Sequence, residues 1–211
     1  MNTILFLGDS ITDCYHNYDM DGLGEGYVRM IAEHLGYGFE KVKIINKGFD
    51  GFTISALSRM WDRDNVHLSF DLLTILIGIN DLAMMKNTGL DMDFSLKEFK
   101  MKYNFLIQKI RQKFQGPIIL MEPFVFPYPE EYKLWEEDLK IMSGEIKDVA
   151  KQHNLIYIPL WERLLHASRE TSYQRVTTDG VHLTDLGHAV IANTWLETYA
   201  FMEFSKKVVH S

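Results

Sequence analysis

The sequence predicts an α/β fold, a three-layer α/β/α sandwich around a central five-stranded parallel sheet in the flavodoxin-like order 2-1-3-4-5. Three observations carry this reading. Short, almost wholly apolar runs at 4–8, 71–77 and 118–121 are what strands buried on both faces require. Amphipathic helical stretches alternate with them, which calls for right-handed crossovers and helices on both faces of the sheet. The runs end in Gly or small polar residues, where open sheets of this kind place their ligands.

In chain order, the first strand, 4–8, ends at Gly8 and turns into Asp9-Ser10-Ile11-Thr12-Asp13. A polar, Gly-rich loop continues through Gly26, a helix covers 27–35, and Gly36 closes it. Strand two is 42–46, ending at Lys47-Gly48, and a helix over 53–63 places Ile54, Leu57 and Trp61 on one face. Strand three, 71–77, ends at Gly78-Ile79-Asn80-Asp81. The next helix is predicted to begin at Ser95 as N-cap, with Glu98 completing a capping box and Phe94 and Phe99 as a hydrophobic staple. Its stripe of Leu96, Phe99, Tyr103, Leu106, Ile110 and Phe114 stops at Gly116-Pro117. Strand four, 118–121, leads to an aromatic, Pro-broken loop at 122–129 and a helix over 131–153 that turns Trp135, Leu139, Met142, Ile146 and Val149 inward. Strand five, 155–158, is followed by a long connection with a short helix at 161–168 and by Thr178-Asp179-Gly180-Val181-His182. Thr184 caps a last helix running to about residue 204.

With 46% hydrophobic and 24% charged residues among 211, the composition fits a single globular domain over 1–211. The lone Cys14 gives neither a disulfide framework nor a thiolate metal cluster, and suits a reducing compartment. The net charge of -7 argues against a nucleic-acid partner. The first apolar run is too short for a signal peptide, and no stretch reaches the roughly 18 apolar residues of a membrane span. The expected location is cytoplasmic.

In the order 2-1-3-4-5 the loops after strands one, two and three are neighbours, and they carry Ser10, Gly48 and Asn80. The connection from Pro159 to Leu183 is longer than packing needs, which lets Asp179 and His182 return over Ser10. That set supplies what acyl transfer requires. A serine needs an imidazole to take its proton, and the imidazole needs a carboxylate to fix its tautomer. The oxyanion needs donors already in place, here the N–H of Ser10, the N–H of Gly48 and the Asn80 amide.

At these residues the sequence resembles the SGNH hydrolase family, the GDSL esterases and lipases. The Gly-Asp-Ser at 8–10, Gly48, the Gly-Ile-Asn-Asp at 78–81 and the Asp-Gly-Val-His at 179–182 match that family's four blocks in order. The resemblance implies Ser10 as nucleophile, Gly48 and Asn80 as oxyanion donors, His182 as base, Asp179 as its orienting acid, and no metal or cofactor. Ile11 stands where the family's name has Leu, a conservative change. Gly-Asp-Ser-Ile-Thr-Asp, the Gly-Tyr-Val at 26–28, Met121-Glu122-Pro123-Phe124 and Trp135 are similar to bacterial carbohydrate acetylesterases, although these motifs also fit fold-keeping positions.

The expected activity is removal of short acyl groups, acetyl first, from a small polar substrate such as an acetylated sugar. Phe124, Phe126 and Tyr128 are candidates to line its site. Aromatic residues around 124–135 serve equally as an interface in a homo-oligomer. Two rival readings are a lysophospholipase or thioesterase for longer chains, and a non-catalytic flavodoxin-like module in which Ser10 and Thr12 hold a phosphate or flavin. The second leaves Gly48, Asn80, Asp179 and His182 without roles. Asn17, Asp19, Asp21 and Gly22 follow half of a calcium loop, but Val28 stands where its bidentate Glu belongs. Cys14 and His188 read as packing residues.

Overall fold

The computed structural model describes residues 2–36, 42–65 and 68–209. Its five strands are β1 (Asn2–Gly8), β2 (Val42–Gly48), β3 (Leu72–Leu76), β4 (Ile118–Met121) and β5 (Ile156–Ile158). They form one parallel sheet in the order β2-β1-β3-β4-β5, with helices on both sides. Gly8 at the end of β1 pairs with Gly48 on one neighbour and Leu76 on the other. The carboxyl ends of β2, β1 and β3 therefore finish level, and the loops that follow them share one crevice.

The helices are α1 (Ser10–Asp13), α2 (Tyr27–Leu35), α3 (Ile54–Met60), α4 (Ile79–Thr88), α5 (Met92–Arg111), α6 (Glu136–Gln152), α7 (Trp161–Glu170), α8 (Tyr173–Val176) and α9 (Asp185–Val209). One group packs α2 and α7 against α9, and another packs α3 and α6 against α5. The apolar strands are sealed between such layers: Leu5, Phe6, Leu7, Leu73, Ile75, Leu120 and Met121 are all buried. Polar groups at this depth are costly to leave unpaired. Trp195 of α9 lies against Phe6 and donates its indole N–H to Thr74 Oγ1 at 3.0 Å.

Several helix limits differ from the sequence reading. The cap of α5 is Asp91, whose Oδ1 accepts the N–H of Phe94 at 2.7 Å. Ser95 lies inside the helix and donates its hydroxyl to the Asp91 carbonyl at 2.8 Å. Phe94 is 63% exposed, so it staples nothing to Phe99. Asp caps as well as Ser, and starting one turn earlier lets Met92 pack on the core. The segment after β3 is not simply a strand end but α4, and Asn80 lies in its first turn. The 131–153 prediction resolves into a 3₁₀ stretch, Glu130–Trp135, followed by α6. The loop after Ser10 contains α1 and a 3₁₀ turn, His16–Tyr18.

Candidate active site

Ser10 is presented by a turn that only Gly8 permits. A Cβ at residue 8 would lie 2.2 Å from Thr12 Oγ1 and 2.5 Å from the Leu76 carbonyl oxygen. From there α1 begins at once, capped by Asp9, whose Oδ1 accepts the Ile11 N–H at 3.1 Å. Thr12 is buried and hydrogen-bonds Tyr27 Oη at 2.9 Å. It is therefore not available to a phosphate, as the flavodoxin-like alternative requires. Ser10 faces the opposite way, into a cavity of about 980 Å³.

The long connection after β5 returns to Ser10 as the sequence reading requires. Ser10 Oγ lies 3.0 Å from His182 Nε2, and His182 Nδ1 lies 2.7 Å from Asp179 Oδ2. The other carboxylate oxygen accepts the N–H groups of Val181 at 2.9 Å and His182 at 2.7 Å. With Nδ1–H held by a carboxylate, Nε2 is the free acceptor that faces the serine hydroxyl. Burial works to raise the Asp179 carboxyl, but these hydrogen bonds and the imidazole outweigh it and hold it below the usual range.

The 177–184 turn is itself braced. Gly180 has φ +96, and a Cβ there would lie 2.0 Å from the Tyr128 carbonyl oxygen. Its N–H donates to Thr177 Oγ1 at 2.8 Å, and that hydroxyl donates to the His182 carbonyl at 2.6 Å. From the other side, the Phe126 N–H donates to the Gly180 carbonyl at 2.8 Å. Phe124 and Phe126 consequently do not line the cavity. They are buried at 2% and 0% exposure, edge to face with one another. Tyr128 is half-exposed and stacks on Tyr173. The aromatic loop supports the turn that carries Asp179 and His182, because its backbone is needed against Gly180 and its rings fill the space beneath. Glu122 also has a positional role, with Oε2 accepting the N–H groups of Leu160 at 2.8 Å and Trp161 at 2.9 Å at the start of α7.

Gly48 is not a free oxyanion donor. Its N–H donates to Asn46 Oδ1 at 2.9 Å. Glycine is required there for another reason: a Cβ would lie 2.2 Å from the Asp13 nitrogen, where α1 crosses the end of β2. Three residues on, Gly51 has φ +69 and open space around its Cα, and its N–H has no hydrogen-bond partner among the described residues. It stands between Asp50 and Phe52, which both line the cavity. Asn80 Nδ2 donates to the Phe52 carbonyl at 2.9 Å, which fixes this loop and leaves the second amide hydrogen uncommitted.

Asp13 is a further residue that the sequence reading passed over. Its Oδ1 meets His16 Nδ1 at 2.6 Å and accepts the His16 N–H at 3.2 Å, while its Oδ2 accepts the Asp50 N–H at 3.0 Å. Asp19 and Asp21, the half calcium loop, are engaged by Arg29. His188 is buried, accepts the Tyr27 N–H on Nδ1 at 3.2 Å, and places Nε2 3.7 Å from Cys14 Sγ. Burial drives its imidazole down to about 4, as suits a neutral packing histidine. Among the described residues no helix is long and apolar enough to cross a membrane.

Residues 6–190 match the profile of the GDSL-like Lipase/Acylhydrolase family. An acetylxylan esterase of Geobacillus stearothermophilus is 26% identical over 211 residues, covering 94% of each chain. A GDSL-like lipase candidate from Parabacteroides merdae superposes with a TM-score of 0.83 at 27% identity, covering 93% of this chain and 94% of that one. A variant of an acetyl-xylooligosaccharide esterase from Geobacillus gives a TM-score of 0.80 at 25% identity, covering 93% of each.

Proposed function

The chain belongs to the GDSL-like lipase/acylhydrolase family and is a carboxylic ester hydrolase, and from that premise we propose that it transfers short acyl groups, acetyl first, from a carbohydrate ester to water through an acyl-Ser10 intermediate. The observation that carries this reading is the relay of 3.0 Å from Ser10 Oγ to His182 Nε2 and 2.7 Å from His182 Nδ1 to Asp179 Oδ2, open to the cavity.

In the proposed reaction His182 Nε2 takes the Ser10 proton as Oγ attacks the ester carbonyl. The oxyanion that forms is met by the N–H groups of Ser10 and Gly51 and by Asn80 Nδ2. One such donor is worth about 10²–10³ in kcat. The imidazolium is stabilised by Asp179 and returns its proton to the departing alkoxide. Water then repeats the sequence on the acyl-serine, with His182 again as base. The acetyl preference is supported by the likeness to the acetylxylan esterase of Geobacillus stearothermophilus.

The test is acetate release from para-nitrophenyl acetate and from acetylated xylo-oligosaccharides, each beside Ser10→Ala. Activity on both that vanishes in the variant is the expected outcome. A Ser10→Ala protein that retains substantial hydrolysis would overturn the nucleophile. Rates on aryl esters that rise towards C8 or beyond would replace acetyl by a long acyl chain.

A further inference from the structure

We propose that Tyr15 and Tyr18 form the platform for the alcohol half of the ester, and that this alcohol is an uncharged sugar ring stacked on their phenol faces. The inference rests on the esterase reading of Ser10 and adds the surface that selects its substrate. Both tyrosines line the cavity that holds Ser10 and His182, yet they are 66% and 91% exposed. An acetyl group occupies a small part of about 980 Å³, so most of the cavity is left to the leaving group.

The arm that carries the two rings is held in an unfavourable shape. Cys14 has φ 39 and Tyr15 has φ 66, two successive non-glycine residues in the left-handed region, which L side chains disfavour. Such strain persists only where the surroundings over-determine it. Here Asp13 grips His16 and the Asp50 N–H, buried His16 packs edge-on against Phe49, and the Glu25 N–H donates to the Cys14 carbonyl at 2.7 Å. At the far end Arg29 ties Asp19 to Asp21. The product of all this anchoring is a pair of solvent-facing rings at the mouth of the serine cavity.

The chemistry around the rings selects the ligand. Asn17 and Asp50 line the same cavity as Tyr15, Tyr18, Phe49 and Phe52. Flat apolar faces next to hydrogen-bonding side chains suit a molecule with C–H faces and a rim of hydroxyls. The charged residues lining the cavity are the carboxylates Asp13 and Asp50, with no Lys or Arg among the described lining residues. Phosphate-bearing alcohols such as a lysophospholipid head or a nucleotide-linked thiol would meet like charge there.

The experiment compares kcat and KM for acetylated xylotriose and for ethyl acetate in the wild type, Tyr15→Ala/Tyr18→Ala and Tyr15→Phe/Tyr18→Phe. The double alanine variant is expected to lower the ratio of kcat/KM, sugar ester over ethyl acetate, by about tenfold or more through KM, and the double phenylalanine variant to keep the ratio within about threefold. Equal losses on both esters would reduce the arm to a structural element and overturn the proposal. So would a wild type that cleaves ethyl acetate but not the sugar ester, or one that prefers a lysophospholipid. A wild type that cleaves neither ester would instead remove the acetylesterase reading, and this subsite with it.

Discussion

The two oxygens of Asp179 do separate work: Oδ2 takes the His182 Nδ1–H, and Oδ1 takes two backbone N–H groups. All three partners are donors, so an amide at this position must turn its own NH₂ towards one of them. Asp179→Asn is therefore expected to lower kcat by about 10³–10⁴ with the fold intact, read from esterase kinetics beside a melting curve. Retention of more than a tenth of wild-type kcat would refute the orienting role. Ser10, Asp179 and His182 are legible in the sequence because each is fixed by its own neighbours, a strand end or a three-residue turn. Gly48 reads in the sequence as an oxyanion donor, but its N–H is taken by the Asn46 side chain two residues back, a contact no spacing reveals. The two glycines should also part company on mutation. Gly48→Ala drives a methyl to 2.2 Å from the Asp13 nitrogen, which must displace α1 and Ser10 with it, so kcat should fall by about 10² or more. Gly51→Ala meets open space, keeps its N–H, and bears only the positive-φ cost of about 1–2 kcal/mol. Parallel kcat and melting measurements on the two variants check this, and equal effects on kcat would count against it.

The acid–base turn illustrates how one element borrows its shape from others. Thr177 Oγ1 both accepts from Gly180 and donates to the His182 carbonyl, while the 122–129 loop holds Gly180 from outside. Thr177→Val preserves volume and strands both partners, each at a cost of about 1–3 kcal/mol. It should lower Tm and kcat together while KM stays near the wild-type value, because Thr177 positions His182 and is not itself among the residues that line the cavity. A variant with lowered Tm and unaltered kcat would show the hydroxyl to be structural only. The length of the connection to this turn is evident from the sequence, but its support is not. Phe124 and Phe126 read as cavity walls because aromatic residues beside a strand end look the same whether they face a ligand or the core. Their burial is decided by the Phe126 N–H reaching Gly180, a partner some fifty residues away and so outside any local pattern. The α5 cap slipped from Ser95 to Asp91 for a related reason, since both residues are competent and the packing of Met92 on the core favours the earlier one. Helix α4 went unread because it buries only Ile79, Asp81 and Leu82, too little for a helical stripe to stand out from the turn at Gly78.

The sheet order follows from the alternation of strands and helices, but the electrostatics of the assembled molecule depend on which loops the order brings together. Placing β2, β1 and β3 side by side buries two carboxyls behind the serine loop. Asp9 caps α1, and Asp81 accepts the Ile54 N–H at 2.9 Å where α3 begins. Burial pushes each up to about 7; the N–H that each accepts pulls the other way, and Asp81 raises Asp9 further while His182 lowers it. Both groups thus bind protons more tightly in the folded chain than at their ordinary value of 3.8. Through these two groups the folded state holds protons that the unfolded state has released, and their contribution makes stability fall as pH rises between about 4 and 7. Asp179 has the opposite sign, but its depressed carboxyl acts only below that window; His188, driven by burial from 6.5 down to about 4, also has the opposite sign and offsets part of the fall, two carboxyls against one imidazole. The protein should therefore be less stable to urea at pH 8 than at pH 5, by an amount of order a few kcal/mol. Asn at either position keeps an oxygen for the same N–H and removes the ionisation. Asp9→Asn and Asp81→Asn should each flatten the pH 5 to pH 8 difference, and the double variant more than either. Urea midpoints at the two pH values decide it: a wild-type difference that survives in the double variant would place the pH dependence elsewhere than in the two carboxyls buried beside Ser10.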